Sequence, residues 1–129
     1  MKARENEVSG EIIDAAMKVH TVLGPGLLES NYSEALGMEL VDRGRIIQRE
    51  HRVRASYLGR PLGLAFRVDL IVDRLVIVEV KSVRALTESH TRQLVTYLRH
   101  SGLRLGLILN FSEAHMRDGI ARIANGMPS

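Results

Sequence analysis

Asp69 to Lys81 reads DLIVDRLVIVEVK. Two apolar runs, Leu70-Ile71-Val72 and Leu75-Val76-Ile77-Val78, flank a polar Asp73-Arg74 pair, which is the pattern of a β-hairpin. Three charged residues are set into it: Asp69, Glu79 and Lys81. Residues two apart on a strand share a face, so Glu79 and Lys81 point the same way. Asp69 joins them in only one register. A two-residue turn at 73–74 pairs Asp69 with Val78 and leaves Glu79 on the opposite face. A three-residue connection, Asp73-Arg74-Leu75, or an equivalent bulge, pairs Asp69 with Glu79 and gathers all three charges; that register is the expectation.

Two carboxylates and an ammonium on one face can hold a divalent cation and an attacking water. Hard oxygen ligands suit Mg²⁺ or Mn²⁺. Such a cation lowers the pKa of bound water and offsets charge on a phosphodiester. Lys81 can orient the nucleophile or stabilise the charge that develops. The plainer alternative is a surface ion pair at a strand end, which contributes little. Against it, charges in a Val/Ile-rich strand are costly unless exposed, paired or metal-bound. The pattern alone leaves both readings open.

Outward from the hairpin, residues 8 to 23 carry an apolar stripe, Val8, Ile12, Ala16, Val19 and Leu23, at helical spacing. Gly24-Pro25-Gly26 ends that helix. A second helix starts near Leu28 or Glu29 and runs to about Asp42, with Arg43-Gly44 as its stop. Ile46 to Tyr57 is a first strand, Leu58 to Pro61 a turn, and Leu64 to Val72 and Leu75 to Val80 form the charged hairpin. Thr87 is placed to cap a helix that runs to Ser101 and stops at Gly102. Leu103 to Asn110 is an apolar strand. Residues 112 to 125 are ambiguous: Met116, Ile120 and Ile123 fit a helix, and Gly119 weakens it. A helix between two strands implies parallel pairing, hence a mixed β-sheet with flanking helices, an α/β fold.

The 129 residues make one domain, 1–129, with a sizeable core. No apolar run approaches the ~20 residues that span a membrane. The start, Met1 to Glu7, has no apolar signal region, so a cytoplasmic protein with no membrane partner is expected. With no cysteine, thiol catalysis, disulfides and cysteine-ligated metals are excluded. Fifteen Arg against three Lys, with net charge +3, fit a nucleic-acid partner through arginine's planar fork of donors. A genome rich in G and C gives the same bias. Only five aromatic residues argue against a single-strand stacking platform. No P-loop, nucleophile elbow, His-Glu-x-x-His or dinucleotide fingerprint is present.

Three motifs occur in order. Gly26-Leu27-Leu28-Glu29-Ser30-Asn31-Tyr32 fits Gly-x-x-Glu-x-x-Tyr. Asp69, then Glu79-Val80-Lys81, fits Asp…Glu-x-Lys. Gln93-Leu94-Val95-Thr96-Tyr97 fits Gln-x-x-x-Tyr. Together they resemble the PD-(D/E)XK nuclease superfamily, and within it the GxxExxY family of small proteins. The resemblance implies a restriction-endonuclease-like αβββαβ core with an extra N-terminal helix. It implies Asp69, Glu79 and Lys81 as catalytic residues and a metal held by Glu29, Asp69, Glu79 and the carbonyl of Val80. It implies Gln93 and Tyr97 as supports of the site or substrate contacts.

From the residues alone, Glu29 reads first as a first-turn acid favoured by the helix dipole, and the resemblance turns it toward a metal ligand. Tyr32, three residues on, packs in the core with a polar tip or orients that carboxylate. Gln93 and Tyr97 share a helix face that is equally a half-buried margin. His20 reads as a core-edge residue, and His51, His90, His100 and His115 as surface. The function expected is a Mg²⁺- or Mn²⁺-dependent nuclease hydrolysing phosphodiester bonds, with DNA ranked ahead of RNA and a homodimer or protein partner supplying further surface. The alternatives are a non-catalytic nucleic-acid- or partner-binding module on the same fold, and a structural protein whose acids only form ion pairs.

Overall fold

The computed structural model describes residues 3–127, so the expectation built on Met1 and Lys2 lies partly outside the described residues. The chain forms α1 (Arg4–Leu23), α2 (Glu29–Asp42), β1 (Ile47–Tyr57), β2 (Arg60–Val72), β3 (Val76–Lys81), α3 (Glu88–Ser101), β4 (Leu105–Asn110), a 3₁₀ turn (Met116–Gly119) and β5 (Ile120–Ala124). The five strands form one mixed sheet in the order β1-β2-β3-β4-β5. Only β3 and β4 are parallel, joined through α3. The αβββαβ core with an extra N-terminal helix is present.

Strand alternation sorts the core into two layers. Val76, Val78 and Val80 face α1 and α2 with Leu105, Leu107 and Leu109. Ile77 and Ile108 face α3 with Leu94, Tyr97 and Leu98. The central strands β3 and β4 are therefore buried on both sides, Glu79 included. No helix among the described residues is long and apolar enough to cross a membrane.

Three boundaries depart from the pattern reading by more than one residue. Helix α1 begins at Arg4 rather than Val8. Its apolar stripe does start at Val8, but the added turn is anchored from the far end of the chain. Arg104, before β4, donates to both oxygens of Glu5 at 2.7 and 2.9 Å. Strand β2 begins at Arg60 rather than Leu64, because only Leu58 and Gly59, both at positive φ, are needed to reverse the chain. The result is a long β1–β2 ribbon. Strand β4 begins at Leu105 rather than Leu103: Gly102 is left-handed and Leu103 N–H is taken by Ser101 Oγ.

The helix considered over 112–125 does not form. Met116 and Ile120 pack toward α1 and α2, whereas Ala121 and Ile123 pack toward α3. Met116, Ile120 and Ile123 thus serve opposite layers, and the strand period of Ile120-Ala121-Arg122-Ile123 governs. Gly119 has a steric reason: a Cβ there would overlap the Asn110 carbonyl.

Candidate active site

The β2–β3 connection has the three-residue form. Leu70 pairs with Val78, Ile71 with Ile77 and Val72 with Val76, leaving Asp73, Arg74 and Leu75 between them. Asp73 (φ 53°) and Arg74 (φ 59°) are left-handed, and Leu75 N–H donates to Val72 O at 3.0 Å. This is a tight turn with one extra residue after it. Asp73 is fixed in that conformation by its carboxylate, which accepts from Ile46 N–H and from Arg45, each at 2.8 Å.

Continued one step, that register sets Asp69 across from Glu79. Asp69 N–H donates to Glu79 Oε1 at 3.1 Å, and Val80 N–H donates to Asp69 Oδ2 at 2.7 Å. Each carboxylate thus closes a backbone group of the opposite strand where the ladder gives out. Lys81 Nζ lies 4.0 Å from Glu79 Oε2.

Both acids are held in surroundings that resist their ionisation. Burial pushes the Glu79 carboxyl up to about 7, and the charge on Asp69 adds to the effect. The Asp69 N–H and the Lys81 ammonium act the other way. Asp69 is also raised, by burial first, against the pull of the Val80 N–H and Lys81. Tyr97, on α3, is raised by burial first and then by the charges of Glu79 and Asp69. Its ring leans on Phe66 of β2 at 4.9 Å between centroids. Gln93, one turn earlier, is exposed.

Glu29 is the first residue of α2 and is exposed; its Oε1 accepts from Ser82 N–H at 3.3 Å. Tyr32 does not reach that carboxylate. It is fully buried, stacks on Phe111 at 4.6 Å, and turns its hydroxyl back to the loop before α2. The hydroxyl donates to Gly24 O at 2.5 Å and accepts from Leu27 N–H at 3.0 Å. Gly26 sits in that loop at φ 112°, a conformation that favours glycine. The Gly-x-x-Glu-x-x-Tyr spacing therefore has a mechanical meaning: the glycine turns the chain, the tyrosine ties the turn down, and the glutamate is presented between them.

Two positioning residues escaped the sequence reading. Ser82 Oγ donates to Leu27 O at 3.1 Å, stitching the end of β3 to the Gly24–Leu28 loop. Asn110 is fully buried, and its amide donates to Val83 O at 2.9 Å while its oxygen accepts from Val83 N–H at 3.1 Å. It is also the parallel partner of Lys81. The available signal was a single polar residue closing the apolar run Leu105 to Asn110.

A cleft of about 740 Å³ opens beside the acidic pair, lined by Glu29, Glu34, Arg49, Arg67, Asp69 and Ser82 among others, so that Asp69 is the member of the pair in its wall. Arg49, on β1, lays its side chain against α2, donating to Ser33 O and Glu34 O at 3.4 Å each, in space left by Gly37. Among the described residues, no group of three or more acids or histidines is arranged to hold a metal ion. The Asp69–Glu79 pair nevertheless suits a hard cation. Each acid gives one oxygen to a backbone N–H, which leaves Asp69 Oδ1 and Glu79 Oε2 without a protein hydrogen bond among the described residues. Cations such as Mg²⁺ bind through one or two carboxylates and keep several waters.

A profile of the PD-(D/E)XK nuclease superfamily matches residues 6–123. No curated protein matches the chain. Among solved structures, the chain is similar to the alkaline exonuclease LHK-Exo from Laribacter hongkongensis, at 13% identity and a TM-score of 0.41, over 90% of this chain and 82% of that one.

Proposed function

The chain belongs to the PD-(D/E)XK nuclease superfamily, and from that premise we propose that it is a metal-dependent nuclease hydrolysing phosphodiester bonds in nucleic acid. The observation that carries the reading is the Asp69–Glu79 pair, a half-buried and a buried acid facing each other across the hairpin under mutual repulsion, with Lys81 as their near cation. A fold needing only stability would neutralise such a pair.

In this reading Asp69 and Glu79 would hold a Mg²⁺ or Mn²⁺ ion, with the Val80 carbonyl and, from the cleft wall, Glu29 as the further protein ligands. The ion, when bound, lowers the pKa of water and offsets the charge of the phosphodiester. Lys81 directs its ammonium at the attacking water or at the oxygen that gains charge at phosphorus. Tyr97 and the exposed Gln93 border substrate, and Tyr32 acts at a distance by fixing the loop that presents Glu29. Water adds to phosphorus, the bond to the leaving sugar oxygen breaks, and that oxygen takes a proton. The finer placement in the GxxExxY family rests on Gly26, Glu29 and Tyr32.

The test is cleavage of labelled DNA and RNA, single- and double-stranded, with Mn²⁺ or Mg²⁺, alongside Glu79→Ala and Lys81→Ala. Metal-dependent cutting lost in both variants, with folding retained, is expected. Cutting that survives in both would sink the proposal. A second reading, a binding module on the same fold, gains from one observation: among the described residues no third acid or histidine joins the pair in ligand geometry. Nucleic-acid binding without turnover by the wild-type protein would select it.

A further inference from the structure

Positive charge is not spread evenly over this molecule. The stretch from His51 to Val68, most of the β1–β2 ribbon, contains Arg52, Arg54, Arg60 and Arg67 and no acid. Those four charges exceed the whole chain's net +3, so the remainder is slightly acidic. All four are exposed. None makes an ion pair among the described residues, whereas Arg43, Arg45, Arg92 and Arg104 each hold an acid.

The arrangement is unfavourable for the protein by itself. Arg52 and Arg67 are direct cross-strand partners, and like charges in that relation repel. Cross-strand partners share a face, so Arg52, Arg54 and Arg67 stand together on one side of the ribbon. The other side carries Val53, Phe66 and Val68, which pack with Tyr97 of α3. Among the described residues, beyond the short ladder with β3, β2 pairs only with β1, and the tip exposes Tyr57, Leu58 and Leu62.

We propose that this ribbon is the protein's binding element for double-stranded DNA, a step that rests on the nuclease reading and names its substrate class. A two-stranded ribbon fits the B-form major groove, about 12 Å wide, with arginines on the flanking phosphates. The major groove of A-form RNA is too narrow for side chains to read. Single strands are held by successive exposed aromatic rings, and at the tip of the ribbon only Tyr57 supplies one. Arg67 lines the same cleft as Asp69 and Glu29, so a duplex on the ribbon leads to the acids.

The test titrates labelled double-stranded DNA, single-stranded DNA and double-stranded RNA of one sequence with protein in EDTA, at two salt concentrations. The variant is Arg52→Gln/Arg54→Gln/Arg60→Gln; Arg67 is kept because it borders Asp69. Duplex DNA is expected to bind tightest. The triple variant is expected to lose about 10- to 100-fold in affinity, with a log–log salt slope shallower by about 0.9 for each phosphate contact removed. Arg117→Gln, an exposed arginine outside the ribbon, is expected to bind as wild type. If the triple variant lacks a melting transition, Arg60→Gln alone carries the test, with a slope lower by about one.

Unchanged affinity and slope in the variant, or equal binding of the three nucleic acids, overturns the proposal. So does aggregation of the variant with unchanged DNA binding, which would mark the arginines as guards of a sheet edge. Hydrolysis of bis(para-nitrophenyl) phosphate with Mn²⁺ separates the two claims. If that small ester is hydrolysed and the variant still binds duplex normally, the ribbon assignment fails and the nuclease stands. If it is not hydrolysed and duplex binding falls in the variant, the ribbon stands and the nuclease fails.

Discussion

The acids around helix α1 and the acids at the end of β2 and β3 are the same chemical groups put to opposite use. Around α1 every buried or half-buried carboxylate that forms an ion pair meets an arginine or lysine. Glu5 meets Arg104, Glu11 and Asp73 meet Arg45, and Glu39 meets Arg43 and Lys18. Hydrogen bonds from those partners hold Glu5, Glu11 and Glu39 below the usual carboxylate range. At the hairpin, Asp69 and Glu79 meet backbone N–H groups, each other, and one lysine at 4.0 Å, and both are pushed up. An arginine-rich chain that denies arginine to a buried acid and its half-buried neighbour leaves them ready for a cation from outside.

The sharpest way to break this contrast is catalytic. Glu79→Ala and Lys81→Ala are each expected to lower metal-dependent cleavage by about a thousandfold, while Glu5→Gln leaves it unchanged. Initial-rate assays on labelled nucleic acid decide; equal losses in all three would dissolve the distinction.

Next in size is stability. In metal-free protein, the raised Glu79 makes the folded state hold its proton longer than the unfolded chain does. Stability from this group is therefore complete below pH 4.5 and falls as pH rises to about 7. Glu79→Gln, which keeps the shape and abolishes the charge, is expected to gain about 3 kcal/mol at pH 8 in EDTA. Urea unfolding across pH measures it; a variant no more stable than wild type contradicts the buried-charge account.

Tyr32→Phe is expected to cost about 1 kcal/mol by freeing Gly24 O and Leu27 N–H, with a partial loss of cleavage as Glu29 loses its fixed mounting. A shift in urea midpoint without any change in rate would confine Tyr32 to the core. The smallest effect belongs to Glu5→Gln, and its pH dependence has the opposite sign to that of Glu79. Glu5 is depressed by Arg104, so its contribution is present above pH 4.5 and disappears as pH falls below that range. The wild-type advantage over Glu5→Gln should therefore vanish in acid.

The hairpin and its register were readable because the constraint was local. Two apolar runs and a short polar connection leave few ways to align Asp69 with Glu79, and burial selects among them. Helices α2 and α3 were readable because Gly24, Gly26 and Gly102 punctuate them. The long-range devices were not. Nothing near Arg4 announces that Arg104 will extend α1, and nothing near Asn110 announces that it will hold Val83. The strand at Ile120–Ala124 was obscured because Met116, Ile120 and Ile123 mimic one helical face while serving two layers. Tyr32 was readable as a packed ring with a polar tip; the two backbone groups that tip would find depended on the loop conformation.

The Glu5–Arg104 pair also carries a consequence for the protein's birth. Its partners are 99 residues apart, and Arg122 donates to Asn6 across a still longer span, 116 residues. The β1–β2 ribbon and the β2–β3 hairpin have their strand partners at hand as soon as they leave the ribosome, since each pairs with its neighbour in sequence. Helix α1 emerges first yet finds its closing contacts last. Until β4 and β5 arrive, Val8, Ile12 and Ala16 wait with their apolar side incompletely covered. The earliest of these elements is thus the last to be sealed, and a chain stopped short of Arg104 would leave the exit tunnel with α1 exposed to chaperones.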